Sequence, residues 1–316
     1  MAKSSESEII KKIVFICCFI YILSLHLLSR TNNQFAVMMR AENNSNHSAA
    51  ELEIGYWTIR GLGAPCRMMA SYANVKYFAA CYDSVPIDGA GIAGDASSFS
   101  KDGWKKIKPS LREKHPLINL PYVIDYADGK EIIVTQTNAV LAYLGRRLNL
   151  WGDNREEASQ CEQLLSEAMD LRNGMTKHAY PKGDDVEATK ALFLYQTKAG
   201  SLRKLNAWLE KKGDDSFFVG SKASAPDFHI FEMCEQYAGL AERFQLPNPL
   251  GNHLQNFHQK FAALPQNRSY LASKLHAMPF NNKHAKFGAD SPANGNGPWT
   301  TGQPYEWTRN ETSGVY

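Results

Sequence analysis

The chain has 316 residues, a length that suits about two domains of ~100–200 residues each. Hydrophobic residues make up 44% of it and charged residues 21%, which is enough apolar material for real cores and excludes a wholly disordered chain. Lys and Arg number 35 against 32 Asp and Glu, and no basic block interrupts the body of the chain, so we expect no nucleic-acid partner. The six cysteines form no CxxC pair, and neither a disulfide scaffold nor a metal site is expected.

Residues 1–50 differ from the rest in composition. Lys11-Lys12 precedes an apolar run over residues 13–28, which is long for the core of a signal peptide and short for a full membrane span. Three alternatives stay open: an uncleaved signal anchor, a cleaved leader and a buried helix. A signal would direct the chain to the endoplasmic reticulum and the secretory route, or anchor it in a membrane through residues 13–28; otherwise the protein is expected in the cytoplasm. Residues 31–50 resemble a linker.

Residues 51–150 alternate between strand-like and helix-like stretches, which predicts a small α/β domain with a mixed sheet. Strands are predicted over 52–58 and 76–83, with a helix over 64–73 between them and a glycine-rich loop over 85–100 after them. Residues 120–126 and 131–135 flank an Asp-Gly turn, which predicts a hairpin, and a helix is predicted over 136–148.

Residues 151–288 carry helical patterns only, over roughly 155–178, 184–212, 224–242, 250–263 and 266–276. Ser224, with proline in the first helical turn and Asp227 three residues later, predicts a capped helix start. Residues 289–316 are rich in Gly, Pro, Asn, Ser and Thr without a hydrophobic period, and a disordered tail is predicted there.

Polar and aromatic residues mark the edge of the predicted sheet. Tyr56 and Trp57 end the first strand, where ligands commonly lie in α/β folds. Pro121 opens a strand, where a cis bond would expose the backbone of Leu120 to an extended peptide ligand.

Two further features suit carboxylates. Residues 135–138, Thr-Gln-Thr-Asn, open a helix whose free N–H groups and positive dipole end favour an anion. Trp104 and Lys108 are four residues apart and can share one helical face, where they could hold a second carboxylate. In this order the four features describe a site for a short extended peptide with a carboxylate at each end.

Three segments carry a family resemblance: Gly55–Leu62 (GYWTIRGL), Asn119–Asp125 (NLPYVID) and Thr135–Leu141 (TQTNAVL). Together they resemble the Mu class of glutathione transferases, over about residues 52–288. The resemblance implies a thioredoxin-like α/β N-terminal domain, an all-α helical-bundle C-terminal domain and a homodimer. It implies an enzyme that conjugates the glutathione thiolate to electrophilic, mostly hydrophobic small molecules in detoxification, with glutathione as co-substrate and no cofactor.

The family's residues map onto this chain by motif. Tyr56 matches the tyrosine that hydrogen-bonds the glutathione sulfur. Residues matching the glutathione contacts are Trp57, Trp104, Lys108, Asn119, Leu120, Gln136 and Thr137, with Asp170 reaching the γ-glutamyl amine across the dimer interface. Tyr180 matches a second tyrosine, facing the electrophile, where Arg172 replaces a histidine. A non-catalytic carrier of hydrophobic ligands on the same fold and a glutathione-dependent isomerase remain alternatives.

Overall fold

A computed structural model describes residues 50–87, 91–289 and 314–316 of the chain. The first strands are β1 (Leu52–Trp57), β2 (Tyr77–Tyr82), β3 (Val85–Pro86) and β4 (Phe99–Ser100), and the later ones are β5 (Tyr122–Asp125), β6 (Ile132–Thr135) and β7 (Gly314–Val315). The main sheet has the strand order β6-β5-β1-β2-β7. Strand β1 runs parallel to β2 and antiparallel to β5, and β5 and β6 form the predicted hairpin.

The sheet is buried on both faces, which explains why its central strands are almost continuously apolar. Helices α1 (Gly63–Tyr72) and α3 (Thr137–Arg147) cover one face, and α2 (Asp102–Lys114) covers the other. Side chains alternate between these faces along β1: Leu52 and Ile54 lie in the cluster under α1 and α3, whereas Trp57 packs against the cluster under α2.

Between α3 and residue 271 the chain forms six α-helices: α4 (Arg155–Ala179), α5 (Val186–Lys198), α6 (Ser201–Lys212), α7 (Ala225–Arg243), α8 (Asn252–Ala263) and the short α9 (Arg268–Leu271). One apolar cluster runs from the sheet face under α1 and α3 into these helices. The α/β region followed by a helical region agrees with the expected fold class. The boundary near residue 150 stays a prediction, because a shared cluster does not divide the two parts.

Two of the predicted helices need correction. The stretch 184–212 is two helices, because the chain turns at Gly200, where a Cβ atom would lie 2.8 Å from the Cα atom of Gln196. The stretch 266–276 contains a 3₁₀ turn over Pro265–Asn267 and only one turn of α-helix in α9. A period of apolar residues does not reveal such close backbone approaches.

Helix α7 begins as the sequence predicts. The side chain of Ser224 accepts the backbone N–H of Asp227, and the Asp227 carboxylate in turn accepts the backbone N–H of Ser224 at 2.7 Å. This reciprocal pairing is a capping box, and it confirms the predicted helix start.

The predicted tail is partly ordered. Its last residues form β7, which pairs antiparallel with β2, and the backbones of Tyr77 and Tyr316 exchange hydrogen bonds of 3.1 and 2.9 Å. The prediction of disorder is therefore wrong for residues 314–316, because an open strand edge offers unpaired backbone groups that a short segment satisfies. Residues 290–313 lie outside the described residues.

Among the described helices, none is long and apolar enough to cross a membrane. The apolar run over residues 13–28, on which the predicted signal or anchor depends, lies outside the described residues.

Candidate functional site

Tyr56 is the last residue but one of β1, at the rim of the sheet, and only 4% of its surface is exposed. The loop that follows packs directly on its ring: a Cβ atom on Gly61 would lie 2.9 Å from Tyr56 Cε1, and one on Gly63 would lie 2.7 Å from Tyr56 Cδ1. Gly61 also has a φ of +39°, a conformation that favours glycine. The two glycines of the Arg-Gly-Leu-Gly turn therefore let the chain wrap closely around the tyrosine.

Burial and the neighbouring positive groups have opposite effects on the pKa of Tyr56. Burial raises the pKa of Tyr56 above its usual range, while the Arg172 guanidinium and the N–H of Leu62 lower it. The net direction is upward, so the hydroxyl keeps its proton at neutral pH. Such a group donates a hydrogen bond to an anion placed next to it.

The loop after β1 is held by a buried arginine that sequence reasoning missed. Arg67, in α1, is fully buried, and its guanidinium donates to the carbonyls of Ile59 and Trp57, each at 3.1 Å. Its position one helical turn after Gly63 was the available signal, since an arginine there reaches back to the preceding loop. Arg67 therefore positions Tyr56 from behind.

Leu120 lies beside Tyr56. The Leu120–Pro121 bond is cis, as the sequence suggested, and Leu120 packs against the small apolar cluster around Tyr56. Thr135, at the end of β6, braces this turn: its hydroxyl accepts from the N–H of Asn119 at 3.1 Å and donates to the Asn119 carbonyl at 2.9 Å. The bracing role of Thr135 was not predicted.

The start of α3 adjoins this turn through Thr135, which directly precedes Gln136. Gln136 is exposed and has a φ of +74°, a conformation that costs about 1–3 kcal/mol for a residue other than glycine. In the described part of the chain, the side chain of Gln136 makes no capping hydrogen bond to this helix, and the first helical turn holds no acidic residue. The first N–H groups, with Thr137 at the helix start, are therefore available to an anionic ligand.

The face of the sheet that α2 covers holds Trp57, Trp104 and Lys108. Trp104 is 5% exposed and stacks on Tyr122 with ring centroids 6.1 Å apart. The Nζ atom of Lys108 lies 5.6 Å from the centroid of the Trp104 ring. Since Trp57 packs against the same cluster and against the one around Tyr56, it connects the two groups.

Helix α4 also lies against the cluster around Tyr56. Met169 packs against the cluster of Tyr56, and Arg172 and Tyr180 both act electrostatically on the Tyr56 hydroxyl. The Tyr180 hydroxyl accepts hydrogen bonds from the backbone and side-chain nitrogens of Asn282, at 3.3 and 3.4 Å. No local pattern indicated Asn282, because it is 102 residues away along the chain.

The structure thus brings together most of the predicted residues, at the C-terminal end of β1 and around it: Tyr56, Trp57, Asn119, Leu120, Gln136, Thr137, Arg172 and Tyr180. Trp104 and Lys108 adjoin this group through Trp57. Asp170 differs, because it is exposed on α4 and, in the described part of a single chain, makes no hydrogen bond or ion pair with any of these residues.

Comparison with known proteins points to one family. A family model described as the C-terminal domain of glutathione S-transferases matches residues 169–274. Glutathione S-transferase 2 of Gallus gallus is 32% identical over 222 residues, which cover 70% of this chain and 89% of that protein. Glutathione S-transferase Mu 5 of Mus musculus is 31% identical and is covered to 97%, with 76% of this chain.

Solved structures agree at the level of the fold. The glutathione S-transferase Blo t 8 aligns with a TM-score of 0.57 and 23% identity, covering 75% of this chain and 99% of its own. The Pi-class enzyme of Onchocerca volvulus aligns with a TM-score of 0.54 and 22% identity, covering 74% and 99%.

Proposed function

The chain belongs to the glutathione S-transferase family and resembles its Mu class, and on this basis we propose which of its residues carry out the transfer. It is an enzyme that conjugates glutathione to electrophilic small molecules. The observation that carries the assignment of residues is the position of Tyr56 next to Leu120, in the turn that Thr135 ties to the start of α3, with the charge of Arg172 and the hydroxyl of Tyr180 acting on the Tyr56 hydroxyl.

Tyr56 activates the thiol. A free thiol has a pKa near ~8.5, so only about 3% is ionised at pH 7. A hydrogen bond donated by Tyr56 favours the thiolate, and a pKa lower by about 2 would correspond to about 2.7 kcal/mol and leave roughly three quarters of the thiol ionised. The raised pKa of Tyr56 supports this role, because only a hydroxyl that keeps its proton can donate a hydrogen bond to the sulfur.

Glutathione lies along the rim of the sheet. Its cysteinyl unit pairs with the backbone of Leu120, and its γ-glutamyl carboxylate binds Gln136, Thr137 and the N–H groups at the start of α3. Its glycine end lies towards Trp57, Trp104, Lys108 and Asn119. The lysine over the Trp104 ring supports this direction, because it supplies a cation for the second carboxylate.

The electrophile binds between the sulfur and α4, where Tyr180 and Arg172 lie. The thiolate forms a bond to the electrophilic carbon, the leaving group departs with its electron pair, and Tyr180 donates to charge that develops there. A carrier without catalysis is not favoured, because it needs neither a protonated tyrosine at the sulfur nor an anion site at α3. Isomerisation with returned glutathione is not favoured either, since the relatives are named as transferases.

The active form is a homodimer. Asp170 supports this, because an exposed carboxylate on α4, one residue from Met169 and outside the cluster around Tyr56, suits a contact with glutathione bound to the other subunit. Its partner there is the γ-glutamyl ammonium group.

The test is an ultraviolet titration of glutathione bound to the full chain. In the wild type, the thiolate absorption persists below pH 7. Replacing Tyr56 by phenylalanine removes the donated hydrogen bond, so the titration moves up by about 2 pH units and kcat falls about 100-fold. Glutathione affinity changes little, because its two carboxylates keep their partners.

Tyr72→Phe is the matched control. Tyr72 is half-buried and packs against Phe228 in the core, so the variant loses a hydroxyl that lies away from the site. The control should titrate like the wild type. Tight glutathione binding without a thiolate band in the wild type would refute activation by Tyr56, and an absence of glutathione binding would refute the site as a whole.

A further inference from the structure

Arg172 lies on the face of α4 that looks towards the Tyr56 hydroxyl. Met169, Arg172, Thr176 and Tyr180 are separated by three, four and four residues, the spacing of one helical face. At one end of this face Met169 packs against the cluster of Tyr56, and at the other end Tyr180 follows the last turn of the helix. The guanidinium is therefore near enough to both tyrosines of the proposed reaction for its charge to act on each hydroxyl.

This cation has no counter-ion in the part of the chain that the structure describes. Its Nη1 atom donates to the side-chain oxygen of Asn173 at 3.4 Å, and no carboxylate of residues 50–87, 91–289 or 314–316 lies within ion-pair distance of it. Asp170, two residues earlier, is on a different side of the helix, because residues at that spacing do not face each other. The half-buried guanidinium is therefore available to the carboxylate of a bound ligand.

His229 provides an independent observation on the same side. It lies in α7, is fully buried, and neither of its ring nitrogens has a hydrogen-bond partner among the described residues. Burial and the charge of Arg172 lower the pKa of His229 to about 3, so the ring is neutral at physiological pH. The α7 residue on which the charge of Arg172 acts is therefore a neutral ring and supplies no compensating negative charge.

We propose that Arg172 selects electrophiles that carry a carboxylate beside the reacting carbon. This inference rests on the proposed function and deepens it by naming the class of acceptor. The guanidinium pairs with the carboxylate through two parallel hydrogen bonds, which fixes the electrophile between the sulfur and Tyr180. The mostly hydrophobic acceptor that the family resemblance implies is thereby narrowed to acceptors with one anionic group.

A chloronitrobenzoate whose carboxylate is attached next to the ring carbon that bears chlorine illustrates the chemistry. The glutathione thiolate attacks the ring carbon that bears chlorine, the sulfur–carbon bond forms, and chloride leaves with the electron pair of the broken bond. The thiol proton has already passed to solvent, and the carboxylate stays paired with Arg172 without changing. The reaction therefore requires no oxidant, reductant or further reactant.

The experiment compares the chloronitrobenzoate with the corresponding chloronitrobenzamide, which has the same shape and no charge. For each, kcat/KM of the full chain is divided by the uncatalysed rate with glutathione. We expect the wild type to prefer the acid, and Arg172→Met to reduce the acid-to-amide ratio by about tenfold or more. Arg172→Lys should recover part of the ratio, since it keeps the charge and loses the paired geometry.

Lys177→Met is the matched control, because it removes the same charge from an exposed position of the same helix and should leave the ratio as in the wild type. A ratio that Arg172→Met does not change, while the amide is still conjugated, would overturn the proposal. So would a higher pKa of the bound thiol with an unchanged ratio, which would assign Arg172 to the sulfur. A wild type that conjugates neither compound would instead refute the proposed function.

Discussion

The Tyr56 hydroxyl is useful to a thiolate only while it carries a proton. Burial provides this condition by raising the pKa of Tyr56, whereas the nearby guanidinium of Arg172 and the N–H of Leu62 stabilise negative charge. The same positive groups that lower the pKa of the tyrosine also favour the sulfur anion. One environment thus keeps the donor protonated and makes the acceptor charged.

At the same scale, His229 should make stability depend on pH. Its pKa is lowered from 6.5 to about 3 in the folded protein, so between these values the unfolded chain binds a proton that the folded protein does not. The free energy of unfolding therefore falls as the pH falls from 6.5 towards 3. Replacing His229 by leucine should remove this contribution, so that the free energy of unfolding of the variant relative to the wild type is about 2 kcal/mol higher at pH 5 than above pH 7.

Urea unfolding of the wild type and of His229→Leu between pH 4 and pH 8 measures this difference. Other histidines with lowered pKa values, such as the half-buried His276 with a pKa lowered to about 4, act in the same direction in both proteins and cancel in the comparison. Two parallel curves, with no divergence below pH 6.5, would show that the His229 ring is not held neutral.

Gln136 shows what residue identity does not reveal. The Thr-Gln-Thr segment is recognisable from its letters, whereas the φ of +74° at its centre is not, because glycine or asparagine is the usual residue there. The surrounding turn imposes this conformation, with Thr135 tied to Asn119 on one side and α3 beginning on the other.

At the scale of elements, the start of α7 depends on one carboxylate. Asp227 is fully buried and accepts the N–H of Ser224 at 2.7 Å, the hydroxyl of Ser224 at 2.8 Å and the N–H of Phe218 at 2.7 Å. Asp227→Ala leaves these buried donors unpaired, so we expect a loss of about 3 kcal/mol in the free energy of unfolding.

The matched control is Asn154→Ala. The side chain of Asn154 caps α4 by accepting the N–H of Glu157 at 3.0 Å, and it is exposed. Water replaces it easily, so the loss should be about 1 kcal/mol. Equal losses for the two variants in urea unfolding would contradict the idea that burial makes the Asp227 cap the stronger one.

At the scale of the whole molecule, a buried ion pair joins the α/β region to the helices. Arg60, in the loop beside Tyr56, donates to Glu232 of α7 at 2.7 Å, with side-chain exposures of 1% and 3%. Glu232→Gln leaves Arg60 only its longer ion pair with the part-exposed Glu235, at 3.3 Å, and we expect a loss of about 2 kcal/mol in the free energy of unfolding together with a lower kcat, because the loop is held less firmly. Thermal unfolding and conjugation assays measure both effects.

Glu167→Gln serves as the comparison, since it breaks a surface pair with Lys204 and should cost less than about 1 kcal/mol without an effect on conjugation. If Glu232→Gln unfolded at the temperature of the wild type, the pair would contribute nothing to joining the two regions, in spite of its burial.

The sequence by itself determined most of the local elements and indicated the residues of the proposed site. The strands β1, β2, β5 and β6, their hairpin, the capped start of α7 and the segments around Tyr56, Leu120 and Gln136 depend on side-chain period, turn chemistry and caps within a few residues, and these can be recognised in order along the chain. The break at Gly200 escaped this reasoning, because a close backbone approach leaves no period.

Only the tertiary structure decided which distant groups meet. Arg60 and Glu232 are 172 residues apart, and Tyr180 and Asn282 are 102 apart. The neutral ring of His229, on which the charge of Arg172 acts, and the pairing of β7 with the edge of β2 likewise follow from packing of elements far apart in the chain. Charge balance and burial belong to such neighbourhoods, so no local pattern encodes them.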